Sequence, residues 1–160
     1  MTHRIRGAGL LVVDGRVLLA LERDQLTGKE FWIPPGGGVE ASDGSAAECV
    51  VREMREEAGL SVVVERLAYV REIVETSRDT HTVELSFLVT LLAGDVVSGD
   101  RADAPVGADL RRHCEWFTPP ELATLNVRPY ELADAFWDDH SSGFPSPRYL
   151  GAFVVEHIVE

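Results

Sequence analysis

Residues 31–60 read FWIPPGGGVEASDGSAAECVVREMREEAGL, and the order of their residue types decides how the remaining chain is understood. Phe31-Trp32-Ile33 is a short strand-like run brought to an end by Pro34-Pro35. The prolines set the chain direction. Gly36, Gly37 and Gly38 are then free to take positive φ and to bring backbone close to a ligand or metal with no Cβ in the way. A triple glycine alone is common in surface turns. A phosphate loop is excluded, because no Gly-Lys-Ser/Thr ending and no GxGxxG follows.

Ser45 with Glu48 three residues on is a capping box, and Gly59 is a C-terminal stop, so a helix is predicted between them. At about 100° per residue, Ala47, Val50, Val51, Met54 and Ala58 form one apolar stripe. Taking Glu53 as zero, Glu57 falls near roughly 40° and Glu56 near roughly −60°, so the three carboxylates border that stripe instead of opposing it. Like charges one turn apart repel by about 0.2–0.5 kcal/mol, and a cation reverses that cost. Hard oxygen donors from one helix suit Mg²⁺ or Mn²⁺, which keep waters and take phosphate oxygens. Ala46 and Cys49 leave room beside them. Arg52 is spaced to reach Glu56 at i+4 and orient it, with Arg55 on the polar flank. A Glu/Arg-rich helix is more often a solvated, salt-bridged face. The glycine loop feeding directly into it, with carboxylates at the core-facing edge, favours the metal reading.

The whole chain is consistent with that chemistry. Its 160 residues, 45% hydrophobic, are enough for one domain with a real core, taken as residues 1–160. No apolar run approaches a membrane helix, and residues 7–13 are cut short by Asp14-Gly15, so neither a membrane span nor an ordinary signal peptide is expected and the cytoplasm is the expected location. Cys49 and Cys114 lack metal or disulfide spacing and read as buried thiols. A net charge of −12 opposes stable binding to nucleic acid or an anionic membrane. A phosphate-ester ligand would need local neutralisation, for which a bound cation is an economical source.

Residues 7–13 and 16–21 flank Asp14-Gly15 as a two-residue hairpin, and their near-continuous apolar character predicts a sheet covered on both faces. Residues 22–30 are a polar loop, either overhanging the site or simply solvated.

Gly38 and the run Arg52-Glu53-Met54-Arg55-Glu56-Glu57-Ala58-Gly59-Leu60 resemble the signature of the Nudix hydrolases, G-x5-E-x7-R-E-U-x-E-E-x-G-U, with U a bulky aliphatic residue. Residues 32–37 are similar to the usual lead-in. The first motif glutamate falls on Gly44. Sliding the loop by one makes Gly37 the motif glycine, sets Glu40 where many members carry an extra glutamate, and puts Asp43 at the glutamate position, with one residue inserted before the helix. The resemblance implies an α/β Nudix fold, an α/β/α sandwich around a mixed β-sheet. It implies hydrolysis of a nucleoside diphosphate linked to another moiety, with Mg²⁺ or Mn²⁺ as cofactor and a nucleotide-type small molecule as substrate. By matching position, Glu53 and Glu57 would ligate metal, Glu56 would ligate or orient, and a carbonyl of Gly37 or Gly38 would complete the shell. Arg52 joins the three glutamates in the catalytic set. A Nudix-fold binding or regulatory domain is the alternative from another class; such proteins typically lose helix glutamates. An isomerase acting on a diphosphate ester is a third.

Residues 61–74 and 81–92 read as a long hairpin. In its second strand Glu84 shares a face with Thr82, Ser86 and Leu88, and is either an extra ligand or on a wet face. Arg71 and Arg78 are candidates to meet phosphate. Residues 94–109 form a loop offering Asp100, Asp103 and Asp109 as a general base, with Glu115, Glu53, Glu56 and Glu84 also open for that role. Residues 115–117 read as a strand, residues 118–122 as a helix start with Thr118 as N-cap and proline in the first turn, and residues 128–139 as a helix with Leu132, Ala135 and Phe136 inward, completing the layer opposite the glutamate helix. Residues 149–158 read as a strand pairing at an edge or across a homodimer. His3, His81, His113, His140 and His157 lack metal spacing. Phe31, Trp32, Tyr69 and Tyr149 are the stacking candidates for a base, though each is more often core.

Overall fold

Asp14 and Gly15 both hold positive φ, 52° and 72°, and join strand β1 (Thr2–Val13) to β2 (Arg16–Arg23) in the expected tight hairpin. The structure is a computed structural model that describes residues 1–95 and 112–156. Six further strands complete the sheet: β3 (Glu30–Ile33), β4 (Gly36–Gly38), β5 (Ser61–Glu75), β6 (Thr80–Ala93), β7 (Cys114–Phe117) and β8 (Arg148–Val155). The order is β3-β2-β1-β6-β5-β8, with β4 paired to β1 and β7 to β2. β1 runs parallel to β6 and β5 parallel to β8; the other pairs are antiparallel, so the sheet is mixed.

Alternation along β1 and β2 divides the core into two layers. Leu10, Val17 and Leu19 face one side, where Leu122, Leu132, Phe136 and Phe144 cover them. Leu11, Leu18 and Ala20 face the other, against Val50, Met54 and Ala58 of helix α1 (Ala46–Ala58). The two apolar runs are thus buried on both faces by helical layers, as their composition requires. Cys49 and Cys114 are buried free thiols. Among the described residues, no helix is long and apolar enough to cross a membrane.

Two expectations are corrected. Gly36, Gly37 and Gly38 do not take positive φ; they form β4, antiparallel to β1. Their missing side chains serve close approach instead, since a Cβ on Gly36 would lie 2.1 Å from the Gly7 carbonyl oxygen. Residues 128–139 are not one helix. A 3-10 turn, Tyr130–Ala133, is separated by Asp134 (φ −139°, ψ −102°) from a helix at Ala135–Ser141, yet Leu132 and Phe136 are both fully buried. The helix start expected at residues 118–122 is present as the short helix α2 (Pro119–Leu122), so the later helix at Ala135–Ser141 is α3. The terminal run is an edge strand starting at Arg148, and residues 157–160, with His157 and Ile158, lie outside the described residues. So do Asp100, Asp103 and Asp109.

Candidate functional site

Helix α1 is fixed at both ends by local chemistry. The Ser45 hydroxyl accepts the Glu48 N–H at 3.1 Å, while the Glu48 carboxylate accepts the N–H of Gly44 at 2.7 Å, one residue before the position a standard capping box uses. Gly59 closes the helix with φ 71°. Between these caps, the apolar stripe presses on β1 and carries the bordering glutamates to β4.

Glu57 is the most buried of the three, 7% exposed. Its Oε2 accepts the Gly36 N–H at 2.9 Å, and Arg112 Nε stands 3.4 Å from Oε1. Burial pushes its carboxyl up to about 7, against the opposing pull of Arg6 and the Gly36 amide. Burial likewise raises Glu53, partly offset by Arg52. Glu53 lies against Gly37, where a Cβ would meet its Oε1 at 2.2 Å.

Arg52 ties the loop to this face of the helix. Nη1 donates to Glu53 Oε1 at 3.0 Å and to Glu56 Oε2 at 3.1 Å, so the i+4 contact forms. Nε and Nη2 grip Asp43, and Nη2 also reaches the Gly38 carbonyl at 3.2 Å. The bonds it donates to Asp43 raise the arginine's pKa. Among the described residues, no three His, Cys, Asp or Glu side chains lie together as a metal-holding group. A guanidinium bridges two of the candidate ligands here, and a peptide N–H holds the third.

A cavity of about 420 Å³ opens beside this helix edge. The three glutamates do not line it themselves. Gly38, Arg6 and Arg112 do, and each borders the glutamate cluster. Among the described residues seven arginines line the cavity against four acidic residues, Glu22, Asp24, Glu75 and Glu84, so in a chain of net charge −12 positive side chains are concentrated where an anionic ligand would lie. Glu22 and Arg23 at the end of β2 also line it, with Asp24 and Gln25 of the loop that follows, so part of that loop borders the space.

Glu84 is 1% exposed and forms the floor. Arg6 Nε donates to one oxygen at 2.9 Å and Arg71 Nε to the other at 2.7 Å. Burial would raise this carboxyl, but Arg71 and Arg6 outweigh it and hold it below its ordinary value. Glu84 therefore lies in a buried ion triad, and its oxygens are already engaged. Arg71 and Arg78 both reach the cavity, the first bound to Glu84 and the second 3.8 Å from Glu75. Glu115 bonds His113 and is not part of the lining. Of the stacking candidates only Phe31 lines the cavity. Trp32 and Tyr69 pack in the core, and Tyr149 bonds Glu72. Sequence reasoning missed Arg4, Arg6, Arg128 and Phe153, which belong to no local motif.

A family model described as the NUDIX domain matches residues 3–136. The chain belongs to the Nudix family. It is 31% identical over 94 residues to an ADP-ribose pyrophosphatase of Methanocaldococcus jannaschii, a match covering 59% of this chain and 54% of the relative. The match thus spans about half of that relative's length. Among solved structures, a Nudix hydrolase from Nitrosomonas europaea aligns with TM-score 0.67 at 18% identity, over 95% of this chain and 79% of the other. An ADP-ribose pyrophosphatase from Streptococcus suis aligns with TM-score 0.58 at 22% identity, over 95% and 99%. At these identities the structural likeness shows the Nudix fold, the mixed sheet between helical layers described above.

Proposed function

We propose that this Nudix protein is a Mg²⁺- or Mn²⁺-dependent pyrophosphohydrolase of nucleoside diphosphates linked to another moiety. The observation carrying the proposal is that Glu53, Glu56 and Glu57 lie on one edge of α1 next to an arginine-lined cavity. The donor set fits a hard divalent cation: carboxylates from one helix, two of them with raised pKa because burial disfavours their charge. In this reading Glu53 and Glu57 ligate, Glu56 ligates or orients, a carbonyl of Gly37 or Gly38 adds an oxygen, and Arg52 orients the carboxylates from the loop side. A bound divalent ion supplies charge neutralisation at phosphate and a more acidic water.

The chain's own groups do the rest. Arg112 and Arg6 hold positive charge at the cavity rim near Glu57 and Gly36, where a diphosphate oxygen is neutralised. The buried Glu84 triad keeps Arg6 and Arg71 in fixed positions on the floor. The name of the M. jannaschii relative makes ADP-ribose a first compound to test.

The test is a screen of ADP-ribose, nucleotide sugars, dinucleoside polyphosphates and nucleoside triphosphates with Mg²⁺ or Mn²⁺, run beside E53Q and E57Q. Metal-dependent turnover lost in both variants is expected. Binding without any turnover by the wild type would instead support a non-catalytic Nudix domain, a reading compatible with Arg52 bridging Glu53 and Glu56.

A further inference from the structure

The two ends of the strand order, β3 and β8, meet across one guanidinium. Arg128 Cζ lies 3.9 Å from the ring centroid of Phe31 on β3 and 5.4 Å from that of Phe153 on β8. All three side chains line the cavity. Phe153 lies beyond the residues matched by the family model, whereas Phe31 and Arg128 lie within them.

The chemistry of this end differs from that at the glutamates. Phe31 stacks on one face of the Arg128 guanidinium, which holds the plane of the fork and leaves its N–H edges as donors. Among the described residues, the Arg128 side chain makes no ion pair. Phe153 is 43% exposed, so its ring is an accessible apolar face, with Ile73 and Val155 also in the lining. Burial lowers the pKa of Arg128 and the neighbouring Arg71 adds to this, against the opposing charges of Asp24 and Glu75. A planar, uncharged group with acceptors at its edge fits both features, and a nucleobase is such a group.

We propose that Phe153 and Arg128 form the base subsite of the substrate, Phe153 giving a stacking face and Arg128 donating to acceptors on the base edge. Phe31 is a positioning residue that acts through Arg128. The inference rests on the reading that phosphate lies toward Gly38, Arg6 and Arg112, which leaves the Phe153 end for the other part of the nucleotide.

The experiment is calorimetric titration of ADP, GDP, CDP, UDP and inorganic pyrophosphate, each with Mg²⁺, into wild type, F153A, F153Y and R128Q. At least one nucleotide is expected to bind wild type more tightly than pyrophosphate. F153A and R128Q are each expected to weaken that nucleotide about tenfold or more while leaving pyrophosphate unchanged, and F153Y is expected to retain it. Thermal melts matching wild type establish that the variants are folded. The proposal is overturned if no nucleotide binds more tightly than pyrophosphate, or if F153A weakens both alike or neither. The two readings separate cleanly: Phe153-dependent nucleotide binding with no turnover of any compound in the screen sinks the hydrolase reading alone. Metal-dependent turnover with a KM indifferent to F153A sinks only the base subsite.

Discussion

Arg52 grips Asp43 with two parallel hydrogen bonds, Nε to Oδ1 and Nη2 to Oδ2, each 2.9 Å long. The fork matches the carboxylate edge to edge. Hydrogen bonding from Arg52, with the Glu40 N–H adding to it, holds the Asp43 carboxyl at about 2, so the clamp is charged at any ordinary pH. It joins the loop to α1 at the point where Gly44 departs from the signature, and Asp43 makes the loop-to-helix link there. D43N removes one anionic partner from the arginine that also holds Glu53 and Glu56. The expected outcome is a fall in Mn²⁺ affinity of about 10–100-fold, the range for residues that orient ligands, read by calorimetry. Unchanged affinity would remove Asp43 from the support of the site.

Adjacent glycines should fail in different ways. A Cβ on Gly36 would meet backbone, 2.1 Å from Gly7 O and 2.7 Å from Ala8 Cα, and neither can move without opening the β1–β4 ladder. G36A is therefore expected to cost about 3 kcal/mol of stability in urea unfolding. On Gly37 the nearest atom is Glu53 Oε1 at 2.2 Å, the free end of a side chain that can swing aside. G37A is expected to cost under about 1 kcal/mol while weakening metal binding, because the displaced group is a proposed ligand. If both variants lose stability alike, the distinction between the two positions fails.

What could be read from the sequence follows from how local each feature is. The α1 caps, its apolar stripe and the Asp14-Gly15 turn depend on residues a few positions apart, and all three appear, with the one difference that Glu48 reaches back to the Gly44 N–H instead of that of Ser45. Leu132 and Phe136 could be assigned to the core, but an i,i+4 pair is satisfied equally by one helix or by two short pieces, so the break at Asp134 left no periodic trace. β4 is invisible to strand propensity because glycine has no side-chain preference for it; only pairing with β1 makes it a strand. Glu84 was correctly placed on a β6 face, but its partners come from other strands, Arg6 being 78 residues away. The Phe31–Arg128–Phe153 contact is non-local in the same way, with only Phe31 recognised as a stacking candidate.

Asp139 connects three elements through one carboxylate. Tyr69 Oη of β5 donates to Oδ2 at 2.7 Å, and Arg148 Nη2, at the start of β8, donates to Oδ1 at 2.6 Å. Tyr69 is 1% exposed, and burial together with the Asp139 bond raises its hydroxyl pKa, keeping it a donor. Y69F is expected to cost about 1 kcal/mol. D139A, which leaves that buried hydroxyl without its acceptor, is expected to cost about 1–3 kcal/mol. The double variant should lose less than the sum of the two, as a thermodynamic cycle measures; strict additivity would mean the bond contributes nothing.

The buried Glu84 triad gives a prediction with a definite sign in pH. Replacing Glu84 by Gln leaves Arg6 and Arg71 without their shared anion, and loss of one partner from a buried charge group costs about 3–5 kcal/mol. Two guanidiniums hold the folded-state pKa of Glu84 below its ordinary 4.5. The unfolded chain therefore takes up this proton first as pH falls, and the triad's contribution is fully present above about pH 4.5 and is lost as pH drops through the lower folded value. E84Q cannot titrate at this position. Its stability deficit relative to wild type should thus be largest at neutral pH and shrink toward pH 3, with the two curves converging because wild type weakens. Urea unfolding of both proteins at a series of pH values measures the gap directly. A deficit that stays constant from pH 7 to 3 would show that the charge of Glu84 contributes nothing to folding, and that the cavity floor is held by packing.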